Sequence, residues 1–288
     1  MAIWNLGSIN ADLVYNVPHI PAPGETLSST GRTTFMGGKG ANISVAIARA
    51  GSRINHIGAL GPDGGWALQR LMEYGVDTRH IAQIETATGH AIIMVDTHGE
   101  NAILLHAGSN GEVPQTALQT AMSEAQTGDW FVTQNETNLQ RTGASLAKKM
   151  GLKVAYAAAP FSAERVQAVL AHLDFLILNE IEAQQLTDAT GKTPDALGVR
   201  DVVVTLGGDG ADWFGVDGKQ HFDAIPVTPI DTTGAGDTFT GYLLAGLDQG
   251  MPMAQAIALA TKAGALMVTR KGTADAIPDL SEVRAFNS

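Results

Sequence analysis

Residues 231–237 of this chain, Asp231, Thr232, Thr233, Gly234, Ala235, Gly236 and Asp237, place two glycines and two carboxylates just before an apolar run. Phe239, Tyr242, Leu243, Gly246 and Leu247 recur at helical spacing, so the stretch reads as a turn opening an amphipathic helix. A β-like segment is expected to end at Ile230, immediately upstream. Glycine admits conformations and close approaches that a β-carbon blocks. The turn can therefore aim backbone N–H groups outward where the helix N-terminus adds partial positive charge. That is an anion site, suited to phosphate or to an oxyanion that develops during reaction. Asp237 has two readings: a plain cap stabilised by the helix dipole, or an acceptor for the proton of a hydroxyl attacking a phosphoryl group.

A second glycine-rich turn, Gly37, Gly38, Lys39, Gly40, Ala41 and Asn42, precedes a helix with Ile43, Ala46, Ile47 and Ala50 on one face. It is not a Walker A loop, because Gly40 follows Lys39 where that motif needs serine or threonine. It still brings backbone, Lys39 and Asn42 close to a ligand, and such donors suit sugar hydroxyls as well as phosphate. A plain turn is the alternative.

The elements that must position these turns alternate. Ile3 to Gly7 and Ile54 to Leu60 read as strands, and Trp66 to Tyr74 as a short helix. From about residue 115, strands Trp130–Thr133, Lys153–Ala157, Phe175–Leu178 and Val202–Leu206 alternate with helical patterns. That pattern predicts a parallel sheet covered on both faces. Thr137 and Gln140 have capping-box spacing for one of those helices. Asn10 and Asp12, Glu136, Asn179 and Glu182, Thr205 and Gly207, and Asp231 and Asp237 all fall just after expected strands. In a parallel sheet such positions share one edge and form a ligand crevice; plain helix capping is the competing explanation for the acidic ones. Two pieces break the alternation. Residues 13–36 are interrupted by Pro18, Pro21, Pro23 and Gly24 and then lean toward β, and Ala91–Val95 with Ala102–His106 reads as a hairpin. The expectation is a single α/β domain over 1–288 with a small β lid from about 13–36 and 87–107, able to exclude water during group transfer.

Composition narrows the function classes. Hydrophobic residues at 44% and charged residues at 16% suit a globular enzyme, and the net charge of −11 without a basic block argues against nucleic acid. There is no cysteine, and the eight histidines are scattered, so disulfides, thiolate metal sites and a zinc centre are not expected. Residues 1–10 lack the pattern of a signal peptide, and no stretch reaches the roughly 18 apolar residues of a membrane span, so a cytoplasmic location is expected. A lid sheet has edges and a face to cover, which allows a homodimer through it.

Taken together, the chain resembles the ribokinase family of carbohydrate kinases over nearly its whole length. The likeness rests on Gly37 to Asn42, on Asp231 to Asp237, on Asn179 to Glu182 between them, and on the opening Leu6 to Asp12 with Pro23 to Thr26. It implies a three-layer αβα fold with a mostly parallel central sheet. It also implies transfer of the ATP γ-phosphoryl group to a primary hydroxyl, with ribose ranked first and a nucleoside, fructose or another sugar as alternative acceptors. By position, Asp237 is implied as the base, and the amides of Gly234, Ala235 and Gly236 as the anion hole. Asn10, Asp12, Gly38, Lys39, Asn42 and Glu136 would hold the sugar. Asn179, Thr205, Gly207 and Thr261 would line the nucleotide side, and Asn179 and Glu182 would organise Mg²⁺ through water. A monovalent-cation site for K⁺ is implied at Asp231, Thr233, Met267, Arg270 and Gly272. There the chain departs at Ala276, where the family often has serine. A non-enzymatic sugar-binding protein on this scaffold would have no need of a carboxylate at 237. A Rossmann oxidoreductase lacks its glycine fingerprint after the first strand.

Overall fold

The computed structural model describes residues 1–286. Its main sheet has nine strands, and their order follows from which apolar runs are long enough to be buried on both faces. β1 (Ala2–Leu6), β4 (Arg53–Leu60), β8 (Trp130–Gln134), β9 (Lys153–Ala157), β10 (Phe175–Asn179) and β11 (Asp201–Thr205) are such runs. With β5 (Asp77–Gln83) at one edge they run parallel, in the order β11-β10-β9-β8-β1-β4-β5. The hairpin of β12 (Ala211–Gly215) and β13 (Gly218–Phe222) continues the other edge antiparallel.

Side chains alternate between the two faces of a strand, and each face meets its own layer of helices. Ile3, Val132 and Ile177 join one core with α1 (Lys39–Arg49), α2 (Gly65–Glu73), α7 (Ala235–Asp248) and α8 (Met253–Val268). Leu6, Phe131 and Leu176 join a second core with α3 (Gln115–Glu124), α4 (Gln140–Lys149), α5 (Ala163–Leu170) and α6 (Glu180–Thr190). The αβα layering and the mostly parallel sheet agree with the sequence expectation. A last short helix, α9 (Leu280–Ala285), packs against α8.

The remaining strands form a separate four-stranded sheet in the order β3-β2-β6-β7, from β2 (Asn10–Asn16), β3 (Gly31–Gly37), β6 (Gly89–Val95) and β7 (Asn101–His106). Chain order in the main sheet reverses at β1, which lies between β8 and β4. The carboxyl ends of β1 and β8 thus border a switch-point crevice, the usual ligand position in open α/β sheets. Among the described residues no helix is long and apolar enough to cross a membrane.

Four expectations need correction. β5 is absent from the sequence reading, because Asp77 to Gln83 is polar and shows no alternation; it pairs as an edge strand on β4 alone. Thr137 and Gln140 form no capping box: α4 starts at Gln140 behind Leu139, whose φ is 65°, and the Gln140 amide bonds Gln134 O instead. No strand ends at Ile230; residues 223–234 are irregular, held by Ile230 N donating to Val268 O at 2.7 Å. Asn10 and Asp12 lie within β2 of the small sheet rather than in a loop after β1.

Candidate active site

Helices α1 and α7 pack against each other and start at the same end of the sheet. α7 opens behind Gly234, whose φ of 76° is the left-handed region where a β-carbon is strained. The first turn of a helix has amides with no intrahelical acceptor. In α7, Ala235 N turns back to Thr232 O at 3.3 Å and Thr238 N to Gly234 O at 2.8 Å. Gly236 and Asp237 carry the other first-turn amides. Asp237 is also where the two helices meet, because Asn42 Nδ2 donates to its Oδ2 at 2.9 Å. Burial pushes the Asp237 carboxyl above its ordinary range, opposed by Lys39 and by that hydrogen bond. Lys39 in turn is held cationic, its pKa raised chiefly by Asp237 and further by Glu136, Glu182 and Asp12.

A cavity of about 330 Å³ is bordered by Asn10, Glu136, His106, Asn110 and Arg165. Glu136 is fixed by the two loops it faces: Ser8 Oγ donates to its Oε2, and so does Lys39 N at 3.0 Å. Asn110 Nδ2 donates to Asn10 Oδ1 at 2.7 Å, which leaves the Asn10 amide nitrogen as a donor. The Asp12 carboxyl is pushed up to about 7 by burial first and by the charges of Glu136 and Asp237 next. The cavity wall thus offers the side-chain amides of Asn10 and Asn110, the Glu136 carboxylate and the Arg165 guanidinium, a donor and acceptor mixture matched to a polyol; Asp12, Gly38, Lys39 and Asn42 do not border it.

A second cleft, of about 370 Å³, opens at the N-terminus of α7 and is bordered by Thr205, Gly207, Ala235, Gly236, Phe239 and Thr261. Thr261 Oγ1 is buried there without a hydrogen-bond partner among the described residues. The neighbouring α6 starts on a capping box in which Glu182 N donates to Asn179 Oδ1 and Asn179 N to Glu182 Oε2, each at 2.8 Å. Glu182 is buried, and burial raises its pKa while Lys39 pulls it down. Its carboxylate thus lies within electrostatic reach of the Lys39 and Asp237 pair. Asn179, by contrast, spends its side-chain oxygen on the cap.

Asp231 braces the turn before α7, accepting from Thr233 N at 2.9 Å and from Gly272 N at 3.1 Å. Met267 O accepts from Arg270 N, and the Arg270 guanidinium pairs with Glu282. The arginine side chain is therefore a link to α9.

Several residues around these cavities escaped the sequence reading. Ser8 and Asn110 act on Glu136 and Asn10 across separations of 128 and 100 residues, which no local pattern reveals. Ile225, Pro226, Val227 and Pro229 wall the second cleft from an irregular segment with no periodicity. Arg165 reaches the first cavity from α5, donating to Asn135 O at 2.9 Å.

Comparison with known proteins places these features in a family. The family model described as pfkB family carbohydrate kinase matches residues 3–280. The chain is 34% identical over 297 residues to a ribokinase of Haemophilus influenzae, covering 98% of this chain and 96% of that protein. It is 35% identical over 303 residues to a ribokinase of Schizosaccharomyces pombe, covering 96% and 95%. The structure of Arabidopsis thaliana ribokinase complexed with ribose and ATP superposes with a TM-score of 0.88 at 28% identity, covering 99% of this chain and 98% of that one.

Proposed function

The chain belongs to the pfkB family of carbohydrate kinases, and from that membership we propose that it transfers the γ-phosphoryl group of ATP to the primary hydroxyl of ribose. The observation that carries this reading is the Asn42–Asp237 hydrogen bond, which joins the glycine-rich turn whose Lys39 N bonds Glu136 of the polar cavity to the first turn of α7, whose Ala235 and Gly236 border the cleft. The sugar would occupy the first cavity, held by Asn10 and Glu136 on its wall, with Asp12, Gly38, Lys39 and Asn42 reaching it from the adjoining strand and turn. The nucleotide would occupy the cleft beside Thr205, Gly207 and Thr261, with its transferring phosphoryl group at the first-turn amides of α7. The first-turn amides of Gly236 and Asp237, together with Lys39, would neutralise charge on that group. As the hydroxyl oxygen bonds to the γ-phosphorus and ADP leaves, Asp237 takes the hydroxyl proton.

Glu182 retains one carboxylate oxygen outside its capping bond, which fits a magnesium ion held mainly by water and phosphate. The ion would supply charge neutralisation between the β- and γ-phosphates. For K⁺ the donors at Asp231, Thr233, Met267 and Gly272 are oxygens apart from the amide contacts already made, a suitable type for a hard cation. The side chain beside Gly272 is Ala276, which offers no oxygen, so the shell would need water.

We also assign the four-stranded sheet the part of a lid over the sugar cavity, to which β7 contributes His106. Its edge strand β7 exposes Ile103, Leu104 and Leu105 in succession, a surface suited to a second copy of the chain. The functional reading is tested by coupled ADP release over a panel of sugars and nucleosides. Ribose is expected to give the highest kcat/KM; a nucleoside that outperforms it overturns the acceptor assignment.

A further inference from the structure

Beneath the glycine-rich turn runs a line of buried polar side chains that the proposed reaction does not use. Asn5 on β1, Ser44 on α1, His56 on β4 and Gln134 on β8 are 0%, 0%, 0% and 1% exposed. Positions inside a parallel sheet covered on both faces are ordinarily aliphatic, since each buried polar group must find a partner. Here the partners form one chain. Gln134 Nε2 donates to Asn5 Oδ1 at 2.8 Å, and Asn5 Nδ2 donates to both Ser44 Oγ and Gly40 O, each at 2.8 Å. Ser44 Oγ lies 2.9 Å from His56 Nδ1, and His56 Nε2 lies 3.1 Å from Gly7 O.

The proton directions follow from chemistry. A carbonyl only accepts, so His56 carries its hydrogen on Nε2. Burial keeps the imidazole neutral, with its pKa pushed down to about 4. Nδ1 must then accept from the Ser44 hydroxyl, whose oxygen accepts from Asn5. Along Asn5, Ser44 and His56 each donor has a defined acceptor, while Gln134 Oε1 at the head of the line is buried without a partner among the described residues; connected donors and acceptors of this kind specify one arrangement of the backbone.

That backbone is the one that carries the sugar-side groups. The line ends on the carbonyls of Gly7 and Gly40, which belong to segments in direct contact: a β-carbon on Gly40 would lie 2.4 Å from Gly7 Cα. Ser8 and Lys39, the next residues on either segment, both bond Glu136, and Gln134 lies two residues before Glu136 on the same chain. The nucleotide cleft, by contrast, is built from α7, α8, the segment before α7 and the end of β11 with the glycine loop that follows it.

We propose that Asn5, Ser44 and His56 are positioning residues that clamp the Gly38–Asn42 turn against the ends of β1 and β8. They set the geometry of the sugar cavity and leave the nucleotide cleft alone. The kinetic part of this proposal rests on the kinase reading above; the clamp itself does not. Ser44→Ala breaks the line by removing a single oxygen, and His56→Phe breaks it with a somewhat larger ring, whereas His56→Gln keeps one donor and one acceptor. Steady-state kinetics would be measured with ribose and ATP varied separately, alongside amide hydrogen exchange over residues 38–42 and 235–238. Ser44→Ala and His56→Phe are expected to raise the ribose KM roughly tenfold, as loss of orientation does, with the ATP KM within about twofold. His56→Gln should recover most of that loss, and exchange should quicken at 38–42 and not at 235–238. An unchanged ribose KM, or ribose and ATP KM values that rise together, overturns the proposal. If His56→Phe does not fold, Ser44→Ala decides. If the wild type turns over no sugar, the kinase reading fails instead, and unchanged exchange at 38–42 in Ser44→Ala is then the result that overturns the clamp.

Discussion

Asn42 Nδ2 donates to Asp237 Oδ2 at 2.9 Å across 195 residues of sequence, and so joins the first turns of α1 and α7. Each turn alone is a glycine-rich helix start of a common kind. Joined, they bring a carboxylate, a lysine and the first turn of α7 together, while the first-turn amides of α1 are spent on Glu136 and Ser8. Phosphoryl transfer needs this kind of positioning and charge neutralisation more than covalent chemistry.

Asp237→Asn tests the proton acceptor. The amide can still pair with Asn42 after rotation but takes no proton. A fall in kcat of about 10²–10⁴, the range for general-base loss, is expected, with ribose affinity by calorimetry little changed. Near-normal turnover would remove Asp237 from the mechanism.

Lys39→Met tests the field around that carboxylate. Burial raises the Asp237 pKa and Lys39 lowers it, so removing the cation raises it further. A base works in its deprotonated form, so the acid limb of the kcat–pH profile should move to higher pH. Activity should fall more at pH 6 than at pH 8.5; an acid limb in its wild-type place speaks against the coupling.

Asp12→Asn addresses stability rather than turnover. The Asp12 pKa is about 7 in the folded protein, above its ordinary value of 3.8, so the folded state binds this proton more tightly than the unfolded chain. Its favourable contribution is complete below pH 3.8 and is lost as pH rises through 7. The Tm of ligand-free Asp12→Asn relative to wild type should therefore climb between pH 5 and pH 8. A difference that stays flat over that interval would mean that Asp12 is ionised throughout.

Glu182→Gln separates capping from charge. Glutamine preserves the capping-box acceptor at the start of α6, so thermal stability should change by less than about 1 kcal/mol. The lost carboxylate should raise the Mg²⁺ concentration for half-maximal rate by roughly tenfold, as loss of a metal-orienting group does. Equal Mg²⁺ dependence in the two proteins would confine Glu182 to the cap.

Much of this arrangement could be read before any coordinates. The parallel strands announced themselves as apolar runs too continuous for a one-sided sheet, and the helices as apolar residues at helical spacing closed by glycine. The glycine turns at 37–42 and 231–237 were legible because a helix start without side-chain bulk has few other uses. Asn179 and Glu182 were legible as a helix start directly after a strand, because that transition is local; their capping box emerged only with the structure.

What stayed hidden was set by contacts between distant segments. Polar β5 is a strand only because β4 offers it an edge. Thr137 has capping spacing, yet Gln140 is drawn away to Gln134 O by the end of β8. Asp12 is an ordinary aspartate in sequence; its perturbed titration arises from burial beside Glu136 and Asp237, and Asn110 meets Asn10 only once the small sheet has formed. Residue types and short spacings therefore announced which chemistry this chain carries, because propensity and capping act over a few residues. Packing alone decided which oxygen faces which nitrogen and which carboxyl holds its proton, because burial and Coulomb interaction depend on distance in space, not along the chain.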